Sequence, residues 1–288
     1  MMAAPEPSFT LAYILGTGHC GSTLLSLLLN AHSRMIGLSS LRKIDFLVRP
    51  PPGGVGLGGG ILDHEFWQRV RARYEQETGR SFDSVTAHHP SWKEFVRWNR
   101  ERLLAWIRDP FDLMSTIARE SGRPILVDSS KAWQQLYLLK RSGRVRIRVL
   151  HTLRDGRAVF HSYDRKYHNF PFSFGQWAKP SMVAATMRPL FSSEEWMPVR
   201  NEELVTEPER VLTSICAFLG ADYEPSMLRY RSSPWIGILG NRMAQRTDET
   251  IRLDEKWKRD LPRNKQLLFD LLGGPLNRYF GYAYLGRR

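Results

Sequence analysis

The chain has 288 residues, of which 42% are hydrophobic and 25% charged, so it can bury a substantial core and has ordinary globular composition. Its 42 lysines and arginines against 29 acidic residues give a net charge of +13, a balance that draws polyanions of any kind. The basic residues are scattered rather than gathered in a tail, and no helix-turn-helix, RNP or zinc pattern accompanies them, so nucleic acid is not the expected partner.

Taken in chain order, residues 1–10 lack a positive n-region and argue against a signal peptide. Residues 13–30, YILGTGHCGSTLLSLLLN, carry the strongest signal. An apolar run (Tyr13, Ile14, Leu15) meets a bend with Gly16, Gly18 and Gly21; Ser22 and Thr23 follow, then a leucine-rich segment of helical length. That order predicts strand, anion-cradling loop and helix, with backbone N–H groups and the helix dipole turned on a phosphate. The spacing is that of a P-loop, except that Ser22 stands where the lysine that reaches a triphosphate tail belongs. The cradle therefore suits a nucleotide without a γ-phosphate. Although residues 11–29 are apolar overall, the glycines, His19 and the hydroxyls interrupt them too often for a membrane span.

A second short strand is expected at 35–38, and the glycine- and proline-rich stretch 50–60 reads as a surface loop or lid. Apolar and aromatic positions recur at helical spacing over 63–77 and 91–107. Residues 124–128 read as a buried parallel strand ending in Asp128, and 145–153 as another strand. One helix is expected over 204–219, with Gly220 as its stop, and a polar helical stretch over 248–272. Alternation of strands and helices predicts an α/β fold. The two cysteines, Cys20 and Cys216, have no partners at disulfide-framework or metal spacing, which suits a reducing cytoplasm.

The segment HTLRDGRAVFHSY (151–163) supplies a second anion site. Arg154 falls at the end of a predicted strand, Asp155 can cap the next helix, and Ser162 lies on that helix. A guanidinium fork plus a hydroxyl suits a terminal phosphate, although spacing alone also allows a surface arginine and an ordinary helix serine.

Together these segments resemble the sulfotransferases that use 3′-phosphoadenosine 5′-phosphosulfate (PAPS). GTGHCGSTLL (16–25) resembles the family's 5′-phosphosulfate loop, and LRDGRAVFHS (153–162) its 3′-phosphate motif, with Arg154 and Ser162 at the arginine and serine positions. ILVDSSKAWQQLYLL (125–139), VRNEELVTEPERVLTSICAFLGADYEPSML (199–228), GNRMA (240–244) and IRLDEKWKRDL (251–261) are similar to further segments of bacterial members. The resemblance leaves mainly 45–120 unaccounted for, and that region is expected to be a helical insertion that binds the acceptor. It implies one domain over 1–288 with a P-loop NTPase-like parallel β-sheet flanked by helices. It also implies transfer of a sulfuryl group from PAPS to a hydroxyl or amine of a small-molecule or glycan acceptor, with no metal.

On this resemblance Gly18, His19, Cys20, Gly21, Ser22, Thr23 and Leu24 hold the 5′ end of the cofactor, and Arg154 and Ser162 its 3′-phosphate. Asn241 and Arg242 reach the 3′-phosphate or adenine as the closing segment folds over. Relatives carry Lys or Arg at position 19; here it is His19, so Lys131 is the other cation available to the leaving phosphate. Where many relatives have a glutamate base, this chain offers Ser39 and Ser40, which leaves His32, Asp45, His64, His88 and His89 as candidates. Trp67, Trp92, Trp98 and Trp106 either line an acceptor pocket or belong to the core. A P-loop kinase or NTPase, with Asp128 as the metal-holding acid, and a non-catalytic PAPS-binding protein are the competing readings.

Overall fold

The computed structural model describes residues 9–44, 64–85, 100–237 and 250–283. Its centre is a parallel sheet of five strands, β1 (Thr10–Gly16), β2 (Met35–Ser39), β3 (Ile125–Asp128), β4 (Arg146–Leu153) and β5 (Trp196–Arg200), in the order β2-β3-β1-β4-β5. Every pairing is parallel, and the register sets Tyr13 beside Asp128 and Gly16 beside Thr152. β1 is buried on both faces, which is why it reads as an unbroken apolar run instead of an alternating one.

The period of two divides the strand between two cores. Leu11, Tyr13 and Leu15 pack with Trp67, Val70 and Tyr74 of α2 (Glu65–Thr78) and with Leu113 and Ile117 of α3 (Arg100–Ser121). Ala12 and Ile14 face the leucines of α1 (Ser22–Asn30) on the other side. Each fully buried aliphatic or aromatic side chain contributes on the order of 1.5–3 kcal/mol, so the strand beneath the glycine loop is anchored from both faces.

α2 and α3 both lie between β2 and β3, as the expected insertion requires. The two described tryptophans of the expected aromatic stripe are core residues: Trp67 and Trp106 are buried, and Trp67 Nε1 donates to Ile236 O at 3.0 Å. The loop expected at 50–60, and Trp92 and Trp98, lie outside the described residues.

After β3 comes α4 (Trp133–Ser142); after β4 come α5 (Gly156–Tyr167) and α6 (Phe170–Met187). The single helix expected over 204–219 is in fact two, α7 (Asn201–Thr206) and α8 (Pro208–Leu219). The residue before a proline is pushed out of the helical region, and Glu207 sits at φ −134°, ψ 55°. Gly220, at φ 77°, does stop α8. The helix expected over 248–272 begins late. Residues 250–256 are not helical; α9 (Trp257–Asp260) is one turn, and α10 (Arg263–Tyr279) restarts after Pro262. β5 carries no clear strand signal, because Pro198 interrupts it; the strand is tolerated at an edge of the sheet.

Candidate active site

Loops after β3, β1 and β4, three adjacent strands, open at the same end of the sheet, the carboxyl end where ligands of open α/β sheets gather. They carry Lys131, the glycine-rich bend and Arg154.

The bend is shaped by contacts its glycines permit. Gly21 is the N-cap of α1 at φ 86°, and a Cβ there would run into the side-chain oxygen of Asn201. A Cβ on Gly18 would run into the Tyr163 hydroxyl. The first intrahelical bond is Leu25 N to Gly21 O, 3.0 Å, so the amides of Ser22, Thr23 and Leu24 precede it, and among the described residues no side chain caps them. A helix start left open in this way has the geometry that suits an anion. The Cys20 thiol points inward, donating to Thr17 O at 2.8 Å and meeting Thr152 Oγ1 at 2.9 Å. The Leu24 side chain is buried against α1's own leucines and the sheet. Cys20 and Leu24 thus offer a ligand only their backbone. Ser22 is buried and Thr23 half-buried.

Two cations bond carbonyls of the bend, and a third acts on it through its field. Arg154 Nη1 donates to His19 O at 2.9 Å, and its Nη2 donates to Asp254 O at 2.8 Å. Lys131, itself at φ 57°, reaches across to donate from Nζ to Thr17 O at 3.0 Å. Lys166 of α5 adds a third field at His19. The His19 backbone is left-handed, φ 57°, and its ring meets Tyr163 edge-on with centroids 4.6 Å apart. Although the side chain keeps solvent access, crowding round the ring lowers its pKa, and Arg154, Lys131 and Lys166 lower it further.

The turn that carries Arg154 is held by the residues immediately after it in the chain. Asp155 caps α5 by accepting from Arg157 N at 2.9 Å and grips the Arg157 guanidinium bidentately at 3.0 and 2.7 Å. Asn277 of α10 accepts from Gly156 N at 2.8 Å, and Glu202 of α7 accepts from Asp155 N at 3.0 Å. The C-terminal helix and α7 therefore fix the turn that aims Arg154 at the loop. Beside Arg154 lies a cavity of about 130 Å³ lined by Glu202, Asp254, Trp257 and Tyr282. Ser162 is half-buried two turns along α5, its hydroxyl donating to Ala158 O at 2.9 Å.

Asp128 is buried at the end of β3, its Oδ1 accepting from Leu41 N (3.2 Å), Ser130 N (2.9 Å) and Ser130 Oγ (2.6 Å). Burial raises its pKa to about 6 in spite of those bonds. It ties the turns after β2 and β3 together, alongside the Ser129 Oγ bond to Ser39 O at 2.9 Å.

Of the candidate bases, His32 is buried beyond the far end of α1, with Nε2 on Asp222 O (2.8 Å) and Nδ1 accepting from Arg34 N (3.0 Å). His64 caps α2, accepting from Phe66 N at 3.2 Å. Asp45, His88, His89, Asn241 and Arg242 lie outside the described residues. Sequence reading missed Tyr163, Asn201 and Lys166. Only Tyr163 had a signal, its place next to Ser162; the other two reach the loop through the path of α5 and of the β5–α7 turn. Among the described residues no group of three His, Cys, Asp or Glu side chains is placed to share a metal ion, and no helix is long and apolar enough to cross a membrane.

The parallel sheet, with a glycine loop after its central strand and an arginine brought to that loop from a neighbouring strand, is a P-loop-like α/β fold of the sulfotransferase type. The model of the sulfotransferase family matches residues 12–225, and the chain belongs to that family. No curated protein matches it. The fold is similar to the sulfotransferase domain of the Synechococcus PCC 7002 olefin synthase, with a TM-score of 0.63, 21% identity, and 98% of each chain covered. It is also similar to the sulfotransferase domain of the curacin biosynthetic pathway, with a TM-score of 0.59, 18% identity, and 93% of this chain and 99% of that one covered. A sulfotransferase of Mycobacterium tuberculosis H37Rv aligns with a TM-score of 0.50 and 12% identity over 78% of this chain and 70% of that one.

Proposed function

We propose that the protein transfers the sulfuryl group of PAPS to a hydroxyl or amine of a small-molecule or glycan acceptor. The observation that carries this reading is the pairing of two anion sites with no lysine at position 22: the open start of α1 and Arg154, tied to the same loop at 2.9 Å. A 5′-phosphosulfate at residues 18–24 and a 3′-phosphate at Arg154 and Ser162 use both. Asn241 and Arg242 complete the second site from the closing segment. One domain spans 1–288, and the insertion at 45–120 selects the acceptor.

Transfer is in-line, so the protein's part is positioning and charge stabilisation rather than covalent chemistry, by analogy with phosphoryl transfer. Lys131, reaching the loop from the turn after β3, and His19, on the loop itself, stabilise the bridging oxygen as the phosphate leaves. The amides of residues 22–24 hold the non-bridging phosphate oxygens in place. The kinase reading lacks its lysine, because Ser22 stands at that position, and Asp128 spends its Oδ1 on holding the turns after β2 and β3 through Leu41 and Ser130. Incubation with ³⁵S-labelled PAPS and pools of phenols, sugars, amines and lipid alcohols tests the reading. Label in an acceptor product, suppressed by adenosine 3′,5′-bisphosphate, supports it; binding of the bisphosphate with no product from any pool leaves the non-catalytic reading in its place.

A further inference from the structure

His19 occupies an unusual electrostatic position for a group that faces an anion. Cations face it from the turn after β4 (Arg154), the turn after β3 (Lys131) and α5 (Lys166). Its only ring neighbour among the described residues is the neutral phenol of Tyr163, and the adjacent Cys20 thiol is turned inward onto Thr17 and Thr152. The charged groups that act most on its ring are these three cations, and the Asp254 carboxylate lies 3.9 Å from the Arg154 guanidinium. Positive charge thus prevails around the imidazole, with two of the cations bonded to carbonyls of its own loop.

We propose that a doubly phosphorylated adenosine binding at this loop draws a proton from solvent onto His19, so that the loop acquires this cation together with its ligand. The inference rests on the donor site assigned above. The geometry gives it direction. A polyanion seated over residues 18–24 offsets the fields of Arg154, Lys131 and Lys166 and places acceptor oxygens beside the ring. Both changes favour imidazolium, whereas the empty loop favours the neutral ring. No covalent bond changes in the ligand: one proton leaves the buffer and joins the free ring nitrogen. By linkage, affinity then falls as pH rises between the two pKa values of His19, by up to about tenfold per pH unit.

Calorimetric titration of the full chain with adenosine 3′,5′-bisphosphate, at pH 7 in Pipes, Hepes and Tris, reads the proton count from the dependence of heat on buffer ionisation enthalpy. The phosphates titrate too, so the quantity of interest is wild type minus His19→Asn. The expected difference is an uptake of roughly half to one proton per ligand, and His19→Lys should bind with the count of the asparagine variant. Equal counts in wild type and His19→Asn overturn the proposal while leaving the donor site intact. No binding of the bisphosphate by wild-type protein overturns the donor site and, with it, this inference. If the variants do not fold, ¹⁵N-imidazole shifts of wild-type His19 decide it: a titration midpoint moved upward by the bisphosphate supports the coupling, and an unmoved one refutes it.

Discussion

The guanidinium of Arg154 donates to the carbonyl oxygen of His19 at 2.9 Å, joining two segments 135 positions apart in the chain. That bond makes one site out of a glycine loop and the end of a neighbouring strand. It also places a fixed positive charge beside the loop, where the proposed donor site needs a second anion contact.

Arg154→Ala should therefore weaken adenosine 3′,5′-bisphosphate by roughly 10- to 100-fold, the range for charge-assisted hydrogen bonds, and adenosine 5′-phosphate by much less. Calorimetry with the two ligands checks this. Equal losses would remove Arg154 from the 3′-phosphate.

Lys131 bonds the loop carbonyl of Thr17 from the turn after β3, and in the proposed reaction it meets the leaving phosphate. Lys131→Met should lower kcat by about 10²–10³, as removal of one transition-state donor does, with a smaller change in bisphosphate affinity. A parallel loss in both would make it a ground-state binding residue.

Gly21 accepts φ 86° and lies against Asn201, so Gly21→Ala adds both left-handed strain and a clash. The expected outcome is loss of bisphosphate binding and a stability decrease of about 1–2 kcal/mol, measured by calorimetry and by denaturant unfolding. Because the clash is with one side chain, the double variant Gly21→Ala, Asn201→Gly should regain part of the stability.

Much of the fold is legible in the sequence, for physical reasons that differ by residue. β1 and β3 announce themselves because strands buried on both faces are continuous apolar runs. The loop and Arg154 are legible because glycine spacing and a strand-end arginine are local features. The roles of Tyr163 and Asn201 are not, since each reaches the loop only through tertiary packing. Pro208 marks the break at Glu207, but the apolar periodicity on either side of it masks the interruption; Pro262 marks the late start of α10 in the same way. β5 is hidden because its proline contradicts strand propensity, and only its position at the sheet edge resolves the contradiction.

Two buried groups make opposite contributions to stability in acid. His151, packed between Trp196 and Phe280, has its pKa lowered to about 4 by burial, so the unfolded chain binds its proton first and stability falls as pH drops from 6.5 to 4. Asp128, raised to about 6, binds its proton first in the folded state, so stability rises as pH drops from 6 to 3.8. Each effect is about 3 kcal/mol at most, and they largely cancel. Asp128→Asn keeps an acceptor for Leu41 and Ser130, and should leave His151 unopposed: urea midpoints between pH 6.5 and 4 should fall more steeply than in wild type. An unchanged slope would contradict the assignment.

Calorimetric titration of the intact chain in EDTA, with adenosine 3′,5′-bisphosphate in one cell and magnesium-ATP in a metal-replete control, bears most directly on the donor site. Saturable binding of the bisphosphate without metal, competed by PAPS, is the expected result. Magnesium-dependent ATP binding with no heat from the bisphosphate would contradict it.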